Sequence, residues 1–309
     1  MRLLFLSLLF LHSAHASFSE HLKKCPDKSG QRSLRNIDFI YLINLDQRPA
    51  KLQRSLQQLL PFGIAPCRFS AVNGWELSVE ALNAVGLKYS PEMQGGIMAT
   101  CYHPGRNFEP SHEIMQHVGQ TYFGHCLSRG AIGCCLSHLS VLQDAFDSGY
   151  ETIWVMEDDI EVLQDPRLLS DLIDRLDLCV GHENWDILFT DHDIRDGHGN
   201  YSPCYWGSTR PDWKGAWGFN DYRLRVDVSE DFRRIGARWG AHSMILRRSG
   251  IQKLLQFFAA HPIFFPYDME YIIPLGIKMF NTRQNIVSNL VGAASDNGGP
   301  NYLEQSNTQ

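Results

Sequence analysis

The chain has 309 residues, 44% of them hydrophobic and 20% charged, with a formal net charge of −6. That is ordinary globular composition, with length for one large α/β domain or two modest ones. No basic cluster offsets the negative balance, which excludes a polyanion-binding surface of the nucleic-acid type and leaves small molecules or other proteins as partners.

In chain order, Met1-Arg2 precedes an apolar run from Leu3 to Leu11 and then Ser13-Ala14-His15-Ala16, the small-x-small pattern of a signal-peptidase site. Residues 1–16 are therefore expected to be a cleaved signal peptide leading to a secretory lumen or cell envelope. The alternative is a retained segment that associates peripherally with the cytoplasmic membrane face, since the run is too short to span a bilayer comfortably. Export would put the eight cysteines in an oxidising compartment, where an even count allows disulfides of open connectivity. No CxxC pair occurs, which argues against a structural zinc site.

Residues 17–36 are polar and read as a linker or arm before a domain over 37–300, with 301–309 as a tail. Ile37 to Asn44 is a β-branched and aromatic run expected to form a buried strand. Asp46 offers an N-cap, Pro49 suits a first helical turn, and Leu52, Leu56 and Leu59 give the following helix an apolar face. Pro61-Phe62-Gly63 ends that helix, and Cys67 to Val72 predicts a second strand. From Ala84 to Gly130, Gly95-Gly96, Pro104-Gly105 and Pro110 break the periodicity, so irregular structure or an inserted loop is expected.

A helix is predicted over Ala131 to Phe146, closed by Gly149, then a short strand from Ile153 to Met156 that ends in Glu157-Asp158-Asp159. Further along come a helix at 166–178, a strand at 186–190, a Tyr/Trp/Gly/Pro-rich loop at 201–222, a strand at 241–246 and a helix at 251–259. Strands alternating with helices imply a largely parallel sheet covered by helices, with ligands bound beyond the carboxyl ends of the strands.

Three consecutive carboxylates at a strand tip repel one another and gain nothing from the core, which suggests a cation. In extended geometry Glu157 and Asp159 point to one side, as metal ligands for Mn²⁺ or Mg²⁺, and Asp158 to the other, toward a bound substrate or merely a turn. The competing reading is an acidic turn whose Asp159 caps a following helix. Asp191-His192-Asp193 has the same D-x-D look; it reads first as a hydrated loop and second as part of one shared site. His138 reads as a buried structural histidine, with contact to phosphate or metal as the alternative. Arg48 is a candidate phosphate partner, or else a solvated arginine. Trp206, Trp213 and Trp217 are candidates for stacking on a ligand's apolar face, or for pinning the loop.

Several blocks together resemble glycosyltransferase family 25, which includes bacterial lipooligosaccharide galactosyltransferases and animal procollagen galactosyltransferases. They are Tyr41-Leu42-Ile43-Asn44-Leu45-Asp46 with Arg48; Gly130-Ala131-Ile132-Gly133-Cys134 through Leu136-Ser137-His138; Glu157-Asp158-Asp159-Ile160; Gly240 to Leu246 with Gly250 and Leu254-Leu255; Asp268 after Pro266-Tyr267; and Ser295-Asp296. His242-Ser243, in place of an aromatic strand start, and Asn297 depart from the family's pattern. The resemblance implies a GT-A-like, Rossmann-related fold, a UDP-sugar donor, a divalent cation, a glycan or glycoprotein acceptor, and transfer of a hexose such as galactose with inversion. It also implies nucleotide contact at Asn44 and Asp46, and a general base at Asp268 with Glu270 in reserve. A catalytically silent, exported glycan- or protein-binding member is the alternative, and a phosphate-ester hydrolase a more distant one.

Overall fold

The computed structural model describes residues 19–305 except 31, 107–108, 126, 205–208 and 216–217. The leader segment, Cys126, Trp206 and Trp217 therefore lie outside the described residues.

In chain order the strands are β1 (Phe39–Asn44), β2 (Cys67–Ser70), β3 (Leu87–Lys88), β4 (Met98–Tyr102), β5 (Pro110–Ile114), β6 (Thr121–Gly124), β7 (Thr152–Glu157), β8 (Ile160–Val162), β9 (Ile187–Phe189), β10 (Arg225–Asp227), β11 (Phe232–Ile235), β12 (Ser243–Arg247), β13 (Met279–Thr282) and β14 (Val287–Asn289). The helices used below are α1 (Pro49–Leu59), α2 (Val79–Val85), α3 (Arg129–Asp147), α4 (Leu168–Val180), α5 (Arg248–Ala260) and the single turn α6 (Tyr267–Glu270).

Eight strands form the central sheet in the order β10-β11-β13-β9-β12-β7-β1-β2. β2, β1, β7, β9, β13 and β10 point one way, and β12 and β11 run against them. The sheet is thus mostly parallel in direction and covered on both faces, as the strand–helix alternation predicts. Alternation within the strands explains the two layers. Phe39, Tyr41 and Ile43 of β1 join Ile153 and Val155 of β7 against α3 and α5. Ile40 and Leu42 join Trp154 and Met156 against α1 and α4 on the opposite face. Strands buried on both sides read as unbroken apolar runs, which is how β1 and β7 read in the sequence.

Between residues 87 and 124, where irregular structure is expected, the chain forms a separate antiparallel sheet of order β3-β6-β4-β5. Its strands are at most five residues long, and β5 (PSHEI) alternates exposed with half-buried positions and carries no apolar stripe. Short strands separated by Gly and Pro leave too little periodicity to register.

Several local expectations are corrected. α1 is capped by Arg48 without a side-chain hydrogen bond, and Pro49 stands at its first turn; Asp46 instead accepts from Arg68 and from Ser70 Oγ at 3.0 Å. The strand before the acids stops at Glu157, so Asp158 and Asp159 form a turn and the two-sided alternation does not apply. That turn leads into β8, so Asp159 caps no helix. The segment read as an arm is docked: Lys23 donates its amide to Ser140 Oγ at 3.0 Å and its Nζ to the Ala71 carbonyl at 2.7 Å, and Cys25 is buried. Among the described residues no helix is long and apolar enough to cross a membrane.

Candidate active site

β2, β1 and β7 are parallel neighbours, with Asn44 opposite Ser70 and Ile43 opposite Glu157. Their carboxyl ends therefore open side by side, the place where ligands bind in sheets of this kind. An open cavity lies there, with about 640 Å³ of empty space that includes its solvent-filled mouth. Its walls are Asn44 and Leu45 after β1, Ala71 to Trp75 after β2, one face of α3 (Gly130, Cys134, Ser137, His138), the acids Glu157, Asp158 and Asp159, Lys51 of α1, and Ser295 to Asn297.

Close backbone packing builds this wall. A Cβ on Gly133 would lie 2.5 Å from both the Gly74 amide nitrogen and the Val72 carbonyl oxygen, and one on Gly74 would lie 1.8 Å from the Arg129 carbonyl oxygen. The loop after β2 touches α3 only because neither position carries a side chain. Ser137 Oγ then accepts from the Val72 amide at 2.8 Å and fixes the loop.

The turn brings all three carboxylates into one space with unequal surroundings. Glu157 meets His138 Nε2 at 2.8 Å, and His138 stacks on Tyr267 with ring centroids 4.3 Å apart. Burial raises the Glu157 carboxyl, but His138, His242 and Lys51 outweigh it and hold the group below its ordinary range. Asp158 accepts from Asn44 Nδ2 at 2.7 Å and lies 3.6 Å from Lys51 Nζ, yet burial leaves its carboxyl raised. Asp159 is pushed up to about 6 by burial and by the charges of Glu157 and Asp158. Its Oδ1 is buried and has no hydrogen-bond partner.

That orphaned oxygen tests whether a cation belongs here. An unpaired buried carboxylate beside two more acids is costly in an empty cavity and is satisfied by a hard divalent ion with oxygen ligands. The residues present can take such an ion: Glu157 groups with Cys134 and His138, their ligand atoms within 4.8 Å of one another, and Asp159 lines the same cavity outside that group.

The other expected residues fall as follows. Asn44 lines the cavity, donating to Asp158 and to the Arg48 carbonyl and accepting from Arg68 Nε at 3.0 Å. Asp46 lies outside the lining, 58% exposed and held by Arg68. Arg48 is neither solvated nor turned to the cavity: it is buried and grips Asp296 through Nε at 2.8 Å and Nη2 at 2.5 Å. Asp268 lies within α6 behind His138 and Glu157 and accepts from the Gly240 amide at 2.9 Å; burial raises its carboxyl, against the pull of that amide. Glu270 is fully buried with Arg210 at 2.6 and 2.7 Å and takes the amides of Phe264 and Phe265, so its oxygens are committed inside the fold.

Asp191 is not in a hydrated loop. It is buried beneath Arg238 at 2.6 Å, His242 at 2.9 Å and Ser288 at 2.7 Å, and this surrounding charge holds its carboxyl at about 2 despite burial. His242 comes between it and the acidic turn, giving its carbonyl to the Glu157 amide at 2.9 Å, so the two acid clusters do not share the cavity. Trp213 packs edge-on against Phe257 and His261 and pins its loop.

Sequence reading passed over Lys51 and Trp75. Lys51 sits two residues after Pro49, on the first turn of a helix read only for its leucines. Trp75 follows a strand, and its Nε1 donates to the Asp296 carbonyl at 2.7 Å.

An α/β sheet with an acid-lined cavity beyond its parallel carboxyl ends defines the general class. Residues 37–198 match the family model described as Glycosyltransferase family 25 (LPS biosynthesis protein), and the chain belongs to that family. It is similar to the mouse protein named inactive glycosyltransferase 25 family member 3, with 26% identity over 172 residues, 55% of this chain and 24% of that one. It is 28% identical to human procollagen galactosyltransferase 2 over 167 residues, 54% of this chain and 21% of the relative. The glycosyltransferase 25 family member of Drosophila melanogaster gives 27% over 143 residues, 46% and 19%. The chain thus spans about a quarter or less of the length of these relatives. Among solved structures, mannose-1-phosphate geranyltransferase from Thermus thermophilus aligns over 84% of this chain and 76% of its own, with 12% identity and a TM-score of 0.34.

Proposed function

We propose that the chain is a metal-dependent glycosyltransferase of GT-A type, moving a hexose, galactose first among candidates, from a UDP-sugar to a hydroxyl of a glycan or protein with inversion. The observation that carries this reading is the unpartnered Asp159 oxygen among three acids at the ends of β1 and β7. The name of the human relative supports galactose as the sugar to try first.

In this reading Asp159 and Glu157 hold a Mn²⁺ or Mg²⁺ ion, whose chemistry when bound is to neutralise the diphosphate and stabilise the leaving nucleoside diphosphate. Trp75, Val72 and Asn73 form the nucleotide wall, and Lys51 supplies positive charge toward the phosphates while steadying Asp158. His138 orients Glu157. Asp268, although it lies outside the cavity lining, is the base in this reading: it takes the proton of the acceptor hydroxyl as that oxygen attacks the anomeric carbon and the bond to the diphosphate breaks, and its raised carboxyl suits a base. The export expected from residues 1–16 would place the reaction in a lumen supplied with sugar nucleotides.

The test is UDP release by the purified protein against a panel of UDP-sugars, with and without Mn²⁺. Turnover should require both cation and a particular donor. Asp159→Ala should remove cation-dependent binding with the fold intact, and Asp268→Asn should keep donor binding while losing at least about 100-fold in turnover. Donor binding of unchanged strength in Asp159→Ala without metal would sink the site assignment. Relatives in mouse and human carry the word inactive in their names. Metal-dependent binding with no turnover for any donor would accordingly favour the silent sugar-binding reading.

A further inference from the structure

The docked N-terminal segment ends its run along β2 at a pair of cysteines. Cys25 Sγ and Cys67 Sγ are 2.7 Å apart, closer than two unbonded sulfur atoms rest, and both residues are buried, at 7% and 3% exposure. Independent contacts fix the backbone on either side of Cys25. Before it, Lys23 reaches Ser140 and Ala71. At it, the Cys25 amide donates to Asp144 Oδ1 at 3.2 Å. After it, Lys28 Nζ pairs with Asp144 at 2.8 Å, and Arg32 Nη1 donates to the Ala65 and Pro66 carbonyls at 2.9 and 3.1 Å. Asp144 is itself anchored by Tyr41 Oη at 2.7 Å. The chain therefore holds the two sulfurs together by contacts that need no bond between them, so closing one requires no rearrangement of the backbone.

Four of the other described cysteines face different surroundings. Cys101 donates to Glu113 at 2.8 Å, Cys135 to the Phe265 carbonyl at 3.6 Å and Cys179 to the Val228 carbonyl at 3.6 Å, while Cys134 looks into the cavity.

We propose that Cys25 and Cys67 are joined by a disulfide in the mature protein, fastening the segment that precedes the first strand to the strand whose end leads into the cavity wall. The bond requires an oxidised partner, either glutathione disulfide or the active-site disulfide of a thiol oxidoreductase. One cysteine thiolate attacks a sulfur of that disulfide and releases one thiol; the other cysteine thiolate then attacks the mixed disulfide and releases the second. Two electrons and two protons pass to the partner, which leaves as two thiols. In the folded protein burial and the adjoining Cys25 push the Cys67 thiol up to about 12, so it exchanges poorly there. The bond accordingly forms while the chain folds, and it is sealed once the segment docks. Ala71, which accepts from Lys23 of the same segment, also lines the cavity, so the fastened segment lies directly against the cavity wall.

The test uses the full chain folded in an oxidising compartment, denatured in iodoacetamide without reductant, digested and mapped by mass spectrometry. A peptide joining Cys25 to Cys67 is expected in most molecules and should vanish on reduction. The cysteines are 42 positions apart, so opening the loop should lower Tm by about 5–10 °C. The double variant Cys25→Ala with Cys67→Ala should melt at that lower temperature with or without reductant. Alkylation of both cysteines in the unreduced wild type, or pairing of either with a different cysteine, would overturn the proposal. It stands apart from the transferase reading, and neither outcome depends on turnover.

Discussion

Asp159 carries an ionisable oxygen without a partner, next to two further acids. Its folded carboxyl titrates near 6, above the ordinary carboxylate value of about 3.9, so between those pH values the unfolded chain binds fewer protons than the folded one. Stability from this group is present at low pH and falls as pH rises from about 4 to 6. Without divalent ions, Asp159→Asn should therefore melt a few degrees above wild type at pH 7.5, and the difference should close by pH 4. Adding Mn²⁺ should raise the wild-type Tm and leave the variant unmoved, since a ligand stabilises only the state that binds it. A variant no more stable than wild type at pH 7.5 would mean that Asp159 is not under charge strain. At this scale the three acids were plain in the sequence because charge at the tip of an apolar strand has no core explanation. Lys51 was not, because one lysine on a helix looks like solvated surface until the fold turns it toward Asp158.

At the scale of elements, the acids are useful because the loop after β2 lies directly on α3. Gly133→Ala places a methyl group 2.5 Å from two backbone atoms of that loop. Overpacking of this kind costs about 1–3 kcal/mol, and here it also displaces Val72 to Trp75. The variant should fold with a lower Tm and lose donor affinity, measured by titration, by about tenfold or more. Affinity at the wild-type level would show that the loop does not form the nucleotide wall. The helix carrying Gly133 was readable from its apolar face, and the block Gly130 to His138 marked it as special. The contact requiring the glycine was invisible, because it depends on a loop more than fifty residues upstream. The sheet between residues 87 and 124 escaped for a different reason. Leu87, Ala99, Cys101 and Tyr122 do fill a small core of their own, but they sit on strands of two to five residues, too short for a hydrophobic period to show.

Across the whole molecule, the cavity is closed by its sequence extremes. Arg48 and Asp296, 248 positions apart, form a buried two-pronged pair, and Trp75 and Ser128 hold the neighbouring carbonyls of Asp296 and Asn297. Asp296→Asn takes away the carboxylate that grips the buried Arg48 guanidinium and leaves it only the more distant charge of Asp158, a loss on the order of 3–5 kcal/mol. Chemical denaturation should show that loss together with weaker donor binding. Unchanged stability would mean that Arg48 had found another anion. The resemblance named Ser295-Asp296 without giving it a task; in the structure Asp296 holds Arg48, which the sequence had offered as a phosphate partner.

This closure sets an order in time. A chain growing from its N-terminus has Asn44 early and the acidic turn by mid-length, yet its last cavity wall is absent until residues 295–297 have been made. A nascent or truncated copy thus displays the acids without a complete wall around them, and the cavity is finished only when the early part of the fold meets residues 295–297.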